Sequence, residues 1–153
     1  WEAEPLTGAQ KELFGAARDI LYRELSGLST EPDRFGLIHS DLHLGNLMVD
    51  GDDLTVIDFD DAGFGWFSHE LACALHPGLG EPWFVEAEAA IIEGYSSVHP
   101  ISQDEIESIN TFLAVRSLMI VGWLTARPEL PAYTYFPLVV AGAEAAADAL
   151  IKH

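Results

Sequence analysis

Apolar residues recur along this chain at two different periods, and the change of period divides it into elements. From Thr7 to Ser26 the positions Leu13, Ala17, Ile20, Leu21 and Leu25, with Leu28 just beyond, return at helical spacing and define one apolar face. Thr7 and Gln10 form a capping-box pattern at its start, and Gly27 suits its end. After a loop from Ser29 to Arg34 the period shortens. Phe35-Gly36-Leu37-Ile38 is a short apolar run ending at His39. Leu47-Met48-Val49 and Leu54-Thr55-Val56-Ile57 predict two strands, joined by Asp50-Gly51-Asp52-Asp53, a strong hairpin signal. In one register Val49 faces Leu54 and Asn46 faces Ile57; shifted by one residue, Asn46 stands opposite Asp58. Either way Asn46 and Asp58 come together at the open end of the hairpin, since cross-strand neighbours lie about 4.5–8 Å apart at Cβ.

The remainder reads as helical. Ser68 to Leu75 is a short helix stopped near Pro77. Glu81 to Ser96 is a second, with Phe84, Ala87, Ile91, Ile92 and Tyr95 on one side. Ser102 and Glu105 open a third with another capping box, running to about Ala126 with an apolar second half that should be buried. Arg127-Pro128 and Leu130-Pro131 break it, and an Ala-rich helix follows from about Pro137 to Ile151. The expected fold class is α+β, mainly helical, in a single lobe spanning residues 1–153, with the polar cluster at the hairpin.

Composition narrows the functional classes. The hydrophobic fraction of 49% and charged fraction of 21% are those of a globular domain. The apolar-rich stretch from Thr111 to Leu124 is shorter than the roughly 20 residues of a membrane span, and Trp1-Glu2-Ala3-Glu4 is unlike a signal peptide. Cys73 is the single cysteine, so no internal disulfide can form, and a cytoplasmic location is expected. The formal net charge of −18 opposes nucleic acid and anionic membranes as partners. It would suit a cationic small-molecule partner, although a solvated acidic surface accounts for the same surplus.

Candidate chemistry concentrates in Ile38-His39-Ser40-Asp41-Leu42-His43-Leu44-Gly45-Asn46-Leu47 and Val56-Ile57-Asp58-Phe59-Asp60-Asp61. Polar groups crowded between apolar strands need partners, because burying a neutral polar group unpaired costs roughly 2–7 kcal/mol and a charge costs more. A metal ion and a phosphate would supply them. The amide oxygen of Asn46 and the carboxylate of Asp58 can share a hard cation such as Mg²⁺, which takes oxygen ligands and keeps waters or phosphate oxygens. Asp41 lies off the strand, free to face a substrate hydroxyl.

His39-Ser40-Asp41 followed by Asn46 resembles the catalytic loop H-x-D-x-x-x-x-N, and Asp58-Phe59-Asp60 stands where protein kinases carry D-F-G. With the extra His43 and the D-F-D ending, the chain resembles the aminoglycoside phosphotransferase and choline kinase family of the protein-kinase-like superfamily. The Ile-Asp-Phe-Asp-Asp-Ala run and the later Glu-Leu-Ala look most like its bacterial homoserine-kinase-like and stress-response branches. The resemblance covers about Phe35 to Leu75 and implies a kinase-like large, C-terminal lobe. It implies transfer of the γ-phosphoryl of ATP to a small-molecule hydroxyl, with Asp41 as catalytic base. It further implies Asn46 and Asp58 on Mg²⁺, His39 and His43 bracing the loop, and Asp60 assisting metal or loop.

Three features depart from that pattern. Ser40 stands where most relatives have Gly. Glu70 replaces an Asp that braces the loop in relatives. No Gly-rich phosphate loop or strand lysine precedes the Thr7 helix, so an N-terminal nucleotide lobe is expected to be missing from this chain and the isolated chain inactive. Two other readings remain open on the residues alone: a zinc hydrolase using His39, Asp41 and His43, and a non-enzymatic, pseudokinase-like binding module. Cys73, among Leu71, Ala72, Ala74 and Leu75, reads as core; Phe64, Trp66 and Phe67 fit an acceptor pocket or simple packing.

Overall fold

The computed structural model describes residues 5–152; Trp1 to Glu4, on which the signal-peptide reading falls, and His153 lie outside the described residues. In chain order the main elements are α1 (Gly8–Ser26), β1 (Phe35–Ile38), β2 (Leu47–Asp50), β3 (Asp53–Val56), β4 (Gly63–Trp66), α2 (Phe67–Leu75), α3 (Phe84–Ser96), α4 (Gln103–Thr125) and α5 (Phe136–Lys152). The architecture is α+β and mainly helical, as expected. The chain divides into two compact units, Ser29–Leu113 and Trp1–Leu28 with Ala114–His153. α4 lends its first half to one and its second half to the other.

The unit holding the termini is helical. Thr7 caps α1 with the full reciprocal box: Gln10 N–H donates to the Thr7 hydroxyl, and Thr7 N–H donates to the Gln10 amide oxygen at 2.9 Å. The buried face of α1 is Phe14, Ala17 and Leu21. Phe14, one position from the Leu13 expected there, takes the central place at 0% exposure, while Leu13 packs at the margin. These side chains meet Leu118, Val121 and Leu124 of α4 and Phe136, Val140, Ala143 and Ala147 of α5 in one core. The helix over Gln103–Thr125 and the segment Pro131–Lys152 are each long and apolar enough to cross a membrane on length and composition, with mean hydropathy 1.3. That differs from the reading of residues 111–124 alone, because the helix extends well beyond the apolar run. One face of each enters the core, while Met119, Trp123, Leu138 and Ile151 stay exposed.

The other unit carries two antiparallel ribbons. β2 and β3 form the expected hairpin with Val49 opposite Leu54 and Asp50 opposite Asp53. Its two-residue turn places Gly51 at φ +61°, a region glycine enters without steric cost. β4 is the unexpected element. The stretch Gly63–Trp66 pairs with β1, Phe35 opposite Trp66 and Leu37 opposite Phe64. Two glycines in four residues hide the alternation that marks a strand. Trp66 secures the ribbon: its ring meets Phe35 edge-on at 5.3 Å and Phe112 at 5.7 Å, and Nε1–H donates to the Ser29 carbonyl. α3 starts three residues later than Glu81, after a turn, and its half-buried face is the expected Phe84, Ala87, Ile91, Ile92 and Tyr95. At the head of α4 the carboxylate of Glu105 accepts from both the backbone N–H and the hydroxyl of Ser102.

Replacing Phe14 with alanine is expected to lower the stability of its unit by about 3–5 kcal/mol, the usual cost of emptying a buried aromatic site. Urea unfolding followed by circular dichroism measures it; a loss under about 1 kcal/mol would show that Phe14 is not a core centre.

Candidate active site

The site is organised where β1 ends against α2. Glu70, in the first turn of α2, presents both carboxylate oxygens to the chain leaving β1. Oε1 accepts from His39 N–H at 2.9 Å and Oε2 from Ser40 N–H at 2.8 Å. The longer side chain relative to Asp therefore does not weaken the brace; it reaches two consecutive amides. Ser40 sits at φ +68°. A non-glycine residue there is disfavoured by about 1–2 kcal/mol. Hydrogen bonds to an ionised carboxylate contribute about 1.5–3 kcal/mol each, enough to hold it. This accounts for a serine, rather than a glycine, at a left-handed position.

His39 is buried and links the loop to the far strand. Asp41 N–H lies 3.4 Å from Nδ1, so Nδ1 accepts and Nε2 carries the hydrogen, which it donates to the Ile57 carbonyl at 2.8 Å. The same ring packs on Phe59 with centroids 4.7 Å apart. Between them sits Asp58, at φ +65°. Ser40 and Asp58 are the two non-glycine residues of positive φ among the described residues, and both belong to this site. Strain of this kind persists only where surrounding contacts over-determine the backbone.

Asp41, His43 and Asn46 form a second layer. The Asn46 side chain is buried, and its Nδ2 donates to the Asp41 carbonyl at 2.9 Å and approaches the Asp41 carboxylate at 3.5 Å. Its own carbonyl accepts from Ile57 N–H at 3.0 Å. Of the two registers open to the sequence, the hairpin takes the one with Asn46 facing Ile57, and Asp58 follows immediately. His43 caps the 3₁₀ turn Leu44–Asn46, with Nδ1 accepting from Gly45 N–H at 3.0 Å. Its Nε2 lies 3.6 Å from the Asp41 carboxylate. Asp41 is thus approached from two sides and retains 24% side-chain exposure.

The donor set fits a hard cation. With Nδ2 of Asn46 turned to Asp41, Oδ1 is the amide atom left for a metal. Asp58 and Asp60 are exposed, and their carboxylates make no hydrogen bond or ion pair among the described residues. Two protein oxygens with the remainder from waters and phosphates is the pattern of Mg²⁺. The zinc alternative does not survive: both ring nitrogens of His39 and Nδ1 of His43 are held by backbone groups. Among the described residues no three His, Cys, Asp or Glu side chains gather as ligands.

Behind the loop lies a cleft of about 520 Å³ lined by His39, Leu42, Phe59, Phe67, Tyr95 and His99, among others. Of the three aromatic residues after the metal motif, Phe67 lines this cleft, Trp66 packs in the ribbon and Phe64 is 78% exposed. Burial, and then the charge of Glu105, raises the Tyr95 hydroxyl above the ordinary tyrosine pKa, keeping it a neutral donor. Of the cleft residues the sequence pointed to Phe67 as a pocket candidate and to His39 as a loop brace; it gave no pocket role to Leu42, Tyr95 or His99, and none to Cys73 beyond packing. The thiol of Cys73, 1% exposed, lies 3.2 Å from the Ser40 carbonyl. The i, i+3 spacing of Glu70 and Cys73 on one helix face was the available signal.

Glu70→Gln turns one acceptor into a donor facing a backbone N–H. Hydrogen exchange at the His39 and Ser40 amides is expected to accelerate on the order of tenfold or more, as for a lost charged hydrogen bond. Unchanged protection at both amides would refute the brace.

Comparison with known proteins identifies relatives of the chain. The model of the phosphotransferase enzyme family matches residues 3–105. The amicoumacin kinase of Bacillus subtilis (strain 168) is 31% identical over 115 residues, covering 69% of this chain and 34% of that protein. The structure of a microcompartment-associated aminopropanol kinase superposes with a TM-score of 0.84 at 31% identity, over 98% of this chain and 48% of the other. The amicoumacin kinase hAmiN, in complex with AMP-PNP, Ca²⁺ and Ami, shares the fold, with a TM-score of 0.74 at 24% identity over 92% of this chain and 46% of the other. The chain spans about a third of the curated relative and about half of the two solved kinases. By family match, identity and fold, it belongs to the phosphotransferase enzyme family.

Proposed function

We propose that the protein to which this chain belongs transfers the γ-phosphoryl of ATP to a hydroxyl of a small molecule, and that this chain is its catalytic lobe. The observation that carries the reading is the braced loop: a partly exposed Asp41 approached by Asn46 and His43, on a backbone tied to Glu70. Asp41 accepts the proton of the attacking hydroxyl and orients it. Asn46 and Asp58 hold Mg²⁺, which when bound neutralises charge on the phosphates. His39 and Glu70 keep the loop in place, His43 aligns the Asp41 carboxylate, and Asp60 supports the metal end of the site. Positioning and charge neutralisation account for most of catalysis in such a transfer.

Two features support an amino alcohol as acceptor. One relative is an aminopropanol kinase. The chain's net charge of −18 favours a cation, whereas nucleic acid and anionic membranes are disfavoured as partners. The greater length of the relatives supports a further lobe that grips the nucleotide, and the single buried thiol suits the cytoplasm. A pseudokinase-like module is the rival reading; the full set of Asp41, Asn46 and Asp58 speaks against it.

In the full-length protein, Asp41→Ala is expected to lower kcat about 10²–10⁴-fold, the range for a lost general base, with an unchanged circular dichroism spectrum. A steady-state assay with ATP and amino alcohols measures it, and undiminished transfer would remove Asp41 from its role. The 153-residue chain alone is expected to show no saturable micromolar binding of Mg-ATP by calorimetry. Tight binding would show that no further lobe is needed to hold the nucleotide.

A further inference from the structure

Asp41 is joined to Ser40 through a peptide whose two polar groups both have partners. That peptide plane, from the Ser40 carbonyl to the Asp41 N–H, is held at both ends. On one side Asp41 N–H points to His39 Nδ1 at 3.4 Å. On the other the Ser40 carbonyl lies 3.2 Å from the Cys73 sulfur. A carbonyl can only accept, so the thiol donates. His69 Nε2 lies 3.7 Å from the same sulfur, one turn back on α2. Cys73 follows Glu70 by three residues, so one helix face binds Ser40 by its N–H and by its C=O. Ser40 stands at φ +68°, where its backbone would otherwise relax towards commoner conformations. A rotation about Ser40 ψ would turn the Ser40–Asp41 peptide and carry the Asp41 side chain with it.

We propose that Cys73 is a positioning residue for Asp41: its buried thiol fixes the Ser40–Asp41 peptide plane and thereby the direction of the catalytic carboxylate. The role rests on the reading of Asp41 as base. It assigns the cysteine a hydrogen-bonding function in place of a purely space-filling one. It involves no covalent chemistry at sulfur.

Two substitution pairs in the full-length protein test this. Cys73→Ser and Cys73→Thr keep a donor, whereas Cys73→Ala and Cys73→Val remove it at comparable size. The donor-lacking variants are expected to lose about three- to tenfold in kcat, the worth of one hydrogen bond, with KM for ATP and acceptor unchanged. Their Asp41 amides should exchange faster by a similar factor. The hydroxyl variants should recover most of both. A thiol that only packs predicts the reverse order, because a buried hydroxyl is then penalised and alanine or valine is not. That order, or unchanged kcat and exchange in Cys73→Ala and Cys73→Val, overturns the proposal. Either pair suffices if one does not fold. Asp41→Ala is measured alongside. If it keeps full activity, the reading of the reaction fails, and amide exchange at Asp41 still decides the role of Cys73.

Discussion

Two hydrogen bonds from backbone to the Glu70 carboxylate hold the rest of the site in register. They join the end of β1 to the first turn of α2, at 2.9 and 2.8 Å. The half-buried carboxylate serves both amides, and the two bonds offset the about 1–2 kcal/mol that a left-handed serine costs. With residues 39 and 40 fixed, His39 can reach across to the Ile57 carbonyl, which brings the end of β3 to the loop. Asp58 follows that carbonyl directly. Loss of the carboxylate would therefore disturb Asp41 and Asp58 together, the proposed base and the proposed metal ligand, although Glu70 touches neither side chain.

The two loop histidines work by the same device at different places. In each, a backbone N–H donates to Nδ1, which leaves the hydrogen on Nε2. His39 directs it at a carbonyl and His43 at the Asp41 carboxylate. In both rings Nδ1 is occupied by a backbone N–H, which fits the orienting role proposed for them. The negative charge of Asp41, Asp58, Asp60 and Asp61 gathers within a short span of an already acidic chain. The proposed reaction explains why that arrangement is tolerated: a hard cation is the partner these oxygens fit.

Local signals in the sequence were sufficient wherever structure depends on neighbours a few residues away. The capping pairs Thr7–Gln10 and Ser102–Glu105, the Asp50–Asp53 turn and the face of α3 all stand where spacing places them. β4 was not legible, because its partner β1 lies over twenty residues earlier and its glycines carry no side-chain pattern. Phe14 displaced Leu13 at the core because a helical face about 100° wide admits either residue, and only the packing of α4 and α5 chooses between them.

The sequence alone determined the chemistry available here: an Asp, an Asn and a second Asp at spacings suited to a base and two metal oxygens, flanked by two histidines. Motif spacing survives in the linear chain because the loop and hairpin that use it are contiguous. Tertiary structure decided which of those groups are held and by what. It chose the hairpin register, placed Ser40 and Asp58 in left-handed conformations, and made Glu70 a double acceptor and Cys73 a donor to the same residue. The contacts of Glu70 and Cys73 depend on a helix some thirty residues away along the chain, and a separation in space of about three ångströms leaves no periodic trace in sequence.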